Sequence, residues 1–338
     1  MSGTAVKKIP LGRSNTWVGE LSFGAAAIGN LFEPLTDQEA AGTLDAAWAA
    51  GFRSFDTAPH YGLGLSERRV GAALRGRPRE QFTVSTKVGR LLVPVDEVAG
   101  EVAGDDLANG FAVPATHRRV WDFSADGVRR SIEASLTRLG LDRVDTVYLH
   151  DPDDHLVQAL EQAYPALEKL RAEGVVDAIG VGMNRSAPLA RFVRETDVDA
   201  VLLAGRYTLL DQDGLTELLP QARRRGVSVV AAGVFNSGLL ADPRPGATFD
   251  YAAAPDELVA RALRIKAVCE RHGLPVRAAA ARFPLGHPAV VAVLLGLRSP
   301  YEVHDAVEQF HRPLPAALWD DLRDADLLNT HTPTPEGS

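Results

Sequence analysis

The sequence predicts an α/β protein, a (β/α)8 barrel of the TIM class, on three observations. Apolar runs of four to seven residues alternate with stretches whose apolar residues recur with a period near 3.6. Eight such units follow one another, and eight alternating units close most simply as a barrel of parallel strands. The 338 residues exceed the usual single-core size but suit one barrel domain spanning 1–338.

In chain order, strands are expected at 21–24, 54–56, 82–87, 144–150, 178–181, 200–203, 227–231 and 291–295. Helices are expected at 37–50, 66–74, 126–139, 155–171, 187–196, 215–225, 256–272 and 301–309, with an extra helix at 277–285. Ser66 reads as an N-cap before ERRVGAAL. Gly51, Gly140, Gly174, Gly226 and Gly273 each follow a helical pattern, where a left-handed residue ends a helix. Residues 7–19 precede the first barrel strand and are expected to form an N-terminal hairpin that closes the barrel floor. The segment 88–124, a long loop after strand 3, far exceeds an ordinary strand-to-helix connection. It carries Phe111, His117 and Trp121, so an ordered lid over a substrate is expected rather than a disordered insertion. The polar tail 330–338 is expected to be flexible.

Composition narrows the function. Hydrophobic residues make up 46% of the chain, enough for a large core, and the net charge is −8. No block of like charges points to nucleic acid, and no apolar run is long enough to span a bilayer. The first residues, MSGTAVKKIPLG, lack the apolar stretch of a secretory signal. The one cysteine, Cys269, rules out an internal disulfide and fits the cytoplasm. No Cys/His spacing suggests zinc. A small-molecule substrate is the expected partner, and oligomeric state is not readable.

Three predicted strands end in a group that can ionise: Asp56 in FDTAPHYG, Lys87 in VSTKVG and His150 in VYLHDPD. Tyr61 follows five residues after Asp56. Strand ends of one polarity meet on one face of such a barrel, so these four side chains are expected to share a pocket. Lysine is rare here, at 7, 8, 87, 169 and 266 only, which makes a lysine closing an apolar strand informative. A tyrosine hydroxyl is a poor acid or base at neutral pH, and a nearby ammonium corrects this by stabilising tyrosinate. Lys87 supplies that charge, Asp56 holds the ammonium, and His150 orients a substrate oxygen. The set suits proton transfer at a carbonyl or alcohol oxygen. The matching hydride needs a cofactor, and a nicotinamide, NADP or NAD, is the economical choice.

No GxGxxG follows a strand, so a doubly wound dinucleotide fold is not indicated. Barrels bind phosphate after strands seven and eight, here AAGVFNSGLLADP and LLGLRSPYEV. Gly233 and Gly238 permit close approach to a pyrophosphate. Arg298 and Ser299 open the last helix and could hold an adenosine phosphate, although Arg298 could equally pair with Glu302. His60, Arg90 and Asp151 adjoin the four reactive residues in sequence, and Trp121 lies in the long loop after strand 3; all four are candidate substrate contacts.

These segments resemble the aldo-keto reductase family. FDTAPHYGLGLSERRVG, STKVGR, VYLHDPD, GVGMN and GLRSPYEV occur in the family's order, across roughly residues 8–325. The resemblance implies catalytic roles for Asp56, Tyr61, Lys87 and His150. It also implies cofactor contacts at Asn184 and in the loops 233–240 and 296–302, among them Gly233, Phe235, Gly238, Leu239, Gly296, Arg298, Ser299 and Glu302. APHYGLGLSERR, GMN, RYTLLDQ and GVFNSGLL resemble the branch that oxidises aldoses of the L-fucose or D-threo-aldose type at C1, and the similar pyridoxal 4-dehydrogenases. The chain departs from the common pattern at Met183, Ala204, Ala232 and Ala306, which stand where many members have Ser, Gln, a stacking Tyr and Asn. The alternatives to aldose oxidation are pyridoxal oxidation and general aldehyde or ketone reduction. More remote are a Schiff-base lyase with Lys87 as nucleophile and a cofactor-sensing subunit of a membrane partner.

Overall fold

A computed structural model describes residues 7–95, 104–250 and 252–336. The eight expected strands form one closed barrel. We number them β1 (Leu21–Gly24), β2 (Ser54–Asp56), β3 (Thr83–Val88), β4 (Thr146–His150), β5 (Ala178–Met183), β6 (Ala200–Ala204), β7 (Ser228–Ala232) and β8 (Val290–Gly296). All neighbours pair in parallel in chain order, and β8 closes on β1. Parallel strands covered by helices are buried on both faces, hence their near-continuous apolar runs.

Two apolar layers result. One lies between strands and helices. The other fills the barrel, where Tyr148, Ala178, Ala200, Leu202, Val230, Ala292 and Leu294 pack against Leu11 and Val18 of the N-terminal segment. That segment is the expected hairpin, Lys8–Pro10 paired with Trp17–Gly19. It is tied to the floor by the Gly19 amide donating to Ser54 Oγ (2.8 Å) and the Gly12 amide donating to Ser228 Oγ (2.7 Å). The five helix-ending glycines all have positive φ.

Several helices differ from expectation. Ser66 is not the N-cap: the helix Leu65–Leu74 starts after Gly64, which is left-handed (φ 78°). Ser66 Oγ is buried instead, donating to the Ala25 carbonyl and bonding Thr57 Oγ1 (2.7 Å). The expected helix over 155–171 is broken into a 3-10 turn (Asp153–His155), one α turn (Leu156–Gln158), a π turn (Ala159–Ala163) and the helix Tyr164–Ala172. Pro165 has no amide to donate, so the regular ladder cannot run through it. The helix expected from 215 begins at Leu218, after a 3-10 turn Asp213–Leu215. A helix not expected, Ala316–Asp324, starts after Pro315 and buries Leu318, Trp319 and Leu322.

Among the described residues, the segment 88–124 forms two antiparallel strand pairs. Arg90–Pro94 pairs antiparallel with His117–Trp121, and Asp105–Asp106 with Phe111–Pro114. Residues 96–103 lie outside the described part. Of the polar tail, Thr332 is buried and Arg323 donates to the Thr332 carbonyl and to Thr334 Oγ1, while 337 and 338 are not described. Among the described residues, no helix is long and apolar enough to cross a membrane.

Candidate active site

Strand register assembles the four reactive residues. Asp56 lies opposite Ser85 in the β2–β3 pair, Lys87 opposite Tyr148 in β3–β4, and His150 opposite Gly182 in β4–β5. Asp56, Lys87 and His150 therefore stand side by side around one mouth of the barrel. Tyr61 reaches them from the loop after β2. Lys87 Nζ donates to Asp56 Oδ2 (2.5 Å), to the Thr57 carbonyl (3.0 Å) and to Tyr61 Oη (3.0 Å). Ser85 Oγ donates to the other carboxylate oxygen of Asp56 (2.7 Å). The Lys87 and Asp56 side chains are 2% and 7% exposed. Burial works against the Lys87 charge, yet Asp56 and Tyr61 together raise its pKa above the ordinary lysine value. Lys87 is thus a fixed ammonium in contact with a phenolic oxygen.

The His150 ring stands edge-on to Tyr61, with centroids 5.8 Å apart. Burial, reinforced by Arg90, Lys87 and His60, holds His150 well below the ordinary histidine pKa, so the ring is neutral. Its Nε2 is 3.6 Å from Asp151 Oδ2, beyond hydrogen-bond length. A neutral imidazole here can serve a substrate oxygen.

A cavity of about 850 Å³ opens over these groups, with Tyr61, Lys87 and His150 among its lining. The four expected substrate residues, His60, Arg90, Trp121 and Asp151, all line it. Arg90 Nη2 donates to Asp151 Oδ2 (2.6 Å), and its guanidinium lies 4.4 Å from the Trp121 ring. Burial raises the Asp151 pKa although Arg90 opposes it. Two wall residues were not anticipated. Arg119 comes from the inserted hairpin, held by Asp106 of the inner one. Phe32, half exposed and with φ at 64°, stands between this cavity and the neighbouring cleft. A positive φ on a bulky residue costs energy, and such strain is typical of functional sites.

The neighbouring cleft, about 520 Å³, shares Tyr61, Asn184, Leu202 and Ala204 with the first cavity. Small residues dominate it, including Gly24, Gly205, Ala232 and Gly296. Of the residues expected to hold a cofactor, Asn184, Gly233, Phe235, Gly238, Gly296 and Glu302 line the cleft. Leu239 does not: its side chain is fully buried in the core. Arg298 and Ser299 lie at its edge without lining it. Arg298 pairs with Glu33, not Glu302, and its amide donates to Glu302 Oε2 (2.9 Å). Ser299 caps the helix Pro300–His311, accepting from the Glu302 amide (3.1 Å). Two features fit a dinucleotide. The turn Gly233–Gly238 takes left-handed φ at Asn236 and Ser237, which presents backbone to the cleft. Asn236 is buried, and its Oδ1 has no partner among the described residues.

Comparison with known proteins agrees with this geometry. The profile of the aldo/keto reductase family matches residues 20–326. A D-threo-aldose 1-dehydrogenase from Pseudomonas sp is 51% identical over 313 residues, covering 92% of this chain and 94% of that protein. A pyridoxal 4-dehydrogenase from Microbacterium luteolum is 40% identical over 341 residues, covering 96% and 99%. Among solved structures, the holo form of an aldo-keto reductase from Bacillus halodurans superposes with a TM-score of 0.73 at 26% identity, covering 97% of this chain and 99% of that one.

Proposed function

The chain belongs to the aldo/keto reductase family, and from that premise we propose that it oxidises an aldose at C1 to the lactone, with NAD preferred to NADP. It is an oxidoreductase of nicotinamide-dependent type. The observation that carries the reading is the Asp56–Lys87–Tyr61 chain, whose Tyr61 lines both cavities. Hydride acceptance from C1 is the chemistry that bound nicotinamide supplies; Asn184 and the turn 233–238 would hold it.

The residues of the chain manage the proton. Tyr61 Oη takes the proton of the anomeric hydroxyl, and the C1–O bond becomes the lactone carbonyl. Lys87 stabilises the phenolate that accepts this proton, and Asp56 with the Thr57 carbonyl keeps the ammonium in place. Neutral His150 holds the same substrate oxygen. Arg90, Asp151 and His60 offer both donors and acceptors to the remaining hydroxyls. A Schiff-base lyase is disfavoured, because its lysine must be a neutral amine and Lys87 is held charged by three acceptors.

The cofactor preference follows from charge. Glu302 lines the cleft, while Arg277 is held by both oxygens of Asp305 (2.6 and 2.8 Å) and Arg298 by Glu33. A 2′-phosphate would meet a carboxylate before a free cation. The buried thiol of Cys269 suits a reducing compartment, and we place the enzyme in the cytoplasm.

A second reading, a flat aromatic alcohol such as pyridoxal, is favoured by Phe111 and Trp121 on the cavity wall. Steady-state assays with aldoses, pyridoxal and an aryl aldehyde, run with both cofactors, separate the readings. Aldoses with NAD are expected to give the highest kcat/KM.

A further inference from the structure

His60 immediately precedes Tyr61, and its ring lies 5.7 Å from that of His150 and edge-on to Phe111 at 5.2 Å. Arg119 arrives from the inserted hairpin, where it pairs in register with Leu92. Its Nε donates to His60 Nδ1 (2.6 Å) and its Nη2 to the His60 carbonyl (2.9 Å). The same guanidinium forks onto both carboxylate oxygens of Asp106. Arg119 and Asp106 are 11% and 5% exposed, so this contact is a built one and not a surface accident.

A guanidinium has only donors and keeps its charge in proteins. Nδ1 of His60 must therefore accept, and the one proton of the neutral ring sits on Nε2. Burial, with Arg90, Arg119 and Lys87 adding to it, pushes this ring down to about 2, so a second proton does not join it. Among the described residues nothing hydrogen-bonds Nε2, and His60 lines the larger cavity beside the groups that meet the reacting oxygen.

We propose that Arg119 is a positioning residue that fixes His60 as an Nε2–H donor, and that this donor selects substrates carrying a hydroxyl on the carbon next to the reacting one. The selection rests on the aldose reading; the fixing of the tautomer does not. The hairpin that carries Arg119 thereby sets the chemistry of a side chain on the catalytic loop, not merely the shape of the pocket. An acceptor-poor aldehyde gains nothing from such a donor, whereas a sugar with a hydroxyl at C2 does.

Nitrogen-15 NMR of histidine-labelled full-length protein reads the tautomer directly. In the parent, His60 should show a protonated Nε2 and an unprotonated Nδ1 that do not titrate between about pH 5 and 8. Arg119→Met should mix the tautomers, and Arg119→Lys should restore the Nδ1 acceptor. Asp106→Asn, a milder change, should loosen the tautomer without removing the guanidinium, and covers the case in which the Met variant fails to fold. In parallel, the ratio of kcat/KM for an aldose over its 2-deoxy analogue should fall roughly tenfold in Arg119→Met, mainly through KM, and recover in part in Arg119→Lys. A protonated Nδ1 in the parent overturns the positioning role. A correct tautomer with an unchanged ratio overturns the selection. If no aldose reacts, the aldose reading and the selection fall together, and the tautomer measurement still decides the role of Arg119.

Discussion

Asp56, Lys87 and His150 sit on strands paired to neighbours on both sides, whereas Arg90, Arg119 and Trp121 sit on a two-stranded hairpin laid over the barrel mouth. The barrel strands fix position through register, since a one-residue slip would turn every side chain to the other face. The hairpin fixes position through side-chain contacts: Arg119 on Asp106 and His60, Arg90 on Asp151 and Trp121. In the proposed mechanism the first region carries groups that the reaction needs whatever the substrate. The second carries groups that meet the substrate or position the side chains that do. Changes at the strand ends should therefore appear in kcat, and changes on the hairpin in KM.

The sharpest contrast is at Tyr61. Tyr61→Phe should lower kcat by about a hundredfold or more with cofactor binding intact, as fluorescence titration would show. Near-parental turnover would remove Tyr61 from the mechanism. Lys87→Met should match that loss and move alcohol oxidation to higher pH, with Asp56→Asn a milder version. Overlaying pH–rate profiles would contradict the role given to the ammonium.

The two neutral histidines, one on a strand and one held by the hairpin, make a stability prediction. Both rings have depressed pKa values in the folded protein, about 2 for His60. Below the unfolded value near 6.5 the unfolded chain binds protons that the folded chain does not, so this stability is complete above that pH and lost as pH falls. The loss is up to about 1.4 kcal/mol per pH unit for each ring. Urea midpoints at pH 7 and pH 5 test it, and His60→Gln should flatten the slope. Equal midpoints in the parent would contradict the neutral-ring assignment.

On the hairpin, Arg90→Met should raise the aldose KM by roughly tenfold with a smaller effect on kcat, since it removes a charge-assisted hydrogen bond and unpairs Asp151. An equal fall in kcat would break the division between the two regions. The smallest expected effect is in the cofactor cleft, where Glu302→Gln should tighten NADP by up to about tenfold, roughly the worth of one close like-charge contact, and leave NAD nearly unchanged. Calorimetric titration of both cofactors checks this, and equal shifts would show that Glu302 does not face the 2′ position.

The same division explains what could be read from sequence. Asp56, Lys87 and His150 were legible because each closes a short apolar run, and strand ends in a parallel barrel converge by topology alone. Arg119 was not, because arginine is the common cation of this chain and its partners, Asp106 and His60, are set by hairpin pairing across residues that carry no strong strand signal. Arg298 was found but its partner was not: Glu33 is distant in sequence, while Glu302, the nearer candidate, bonds the backbone amide instead. Leu239 shares the turn of Gly233 and Gly238, yet its side chain points into the core, which loop membership does not reveal. The break before Pro165 was legible in principle, since proline removes a ladder bond, but the apolar period ran through it and masked the stop.

The proposed reaction at the barrel mouth is oxidation of a sugar at C1. Its most direct test is kcat/KM for a 6-deoxy or pentose aldose against pyridoxal and an aryl aldehyde, with NAD, under identical conditions and with product identified by mass spectrometry. The best aldose is expected to exceed both competitors and to yield the lactone. Inert sugars beside a readily converted aromatic substrate would contradict it.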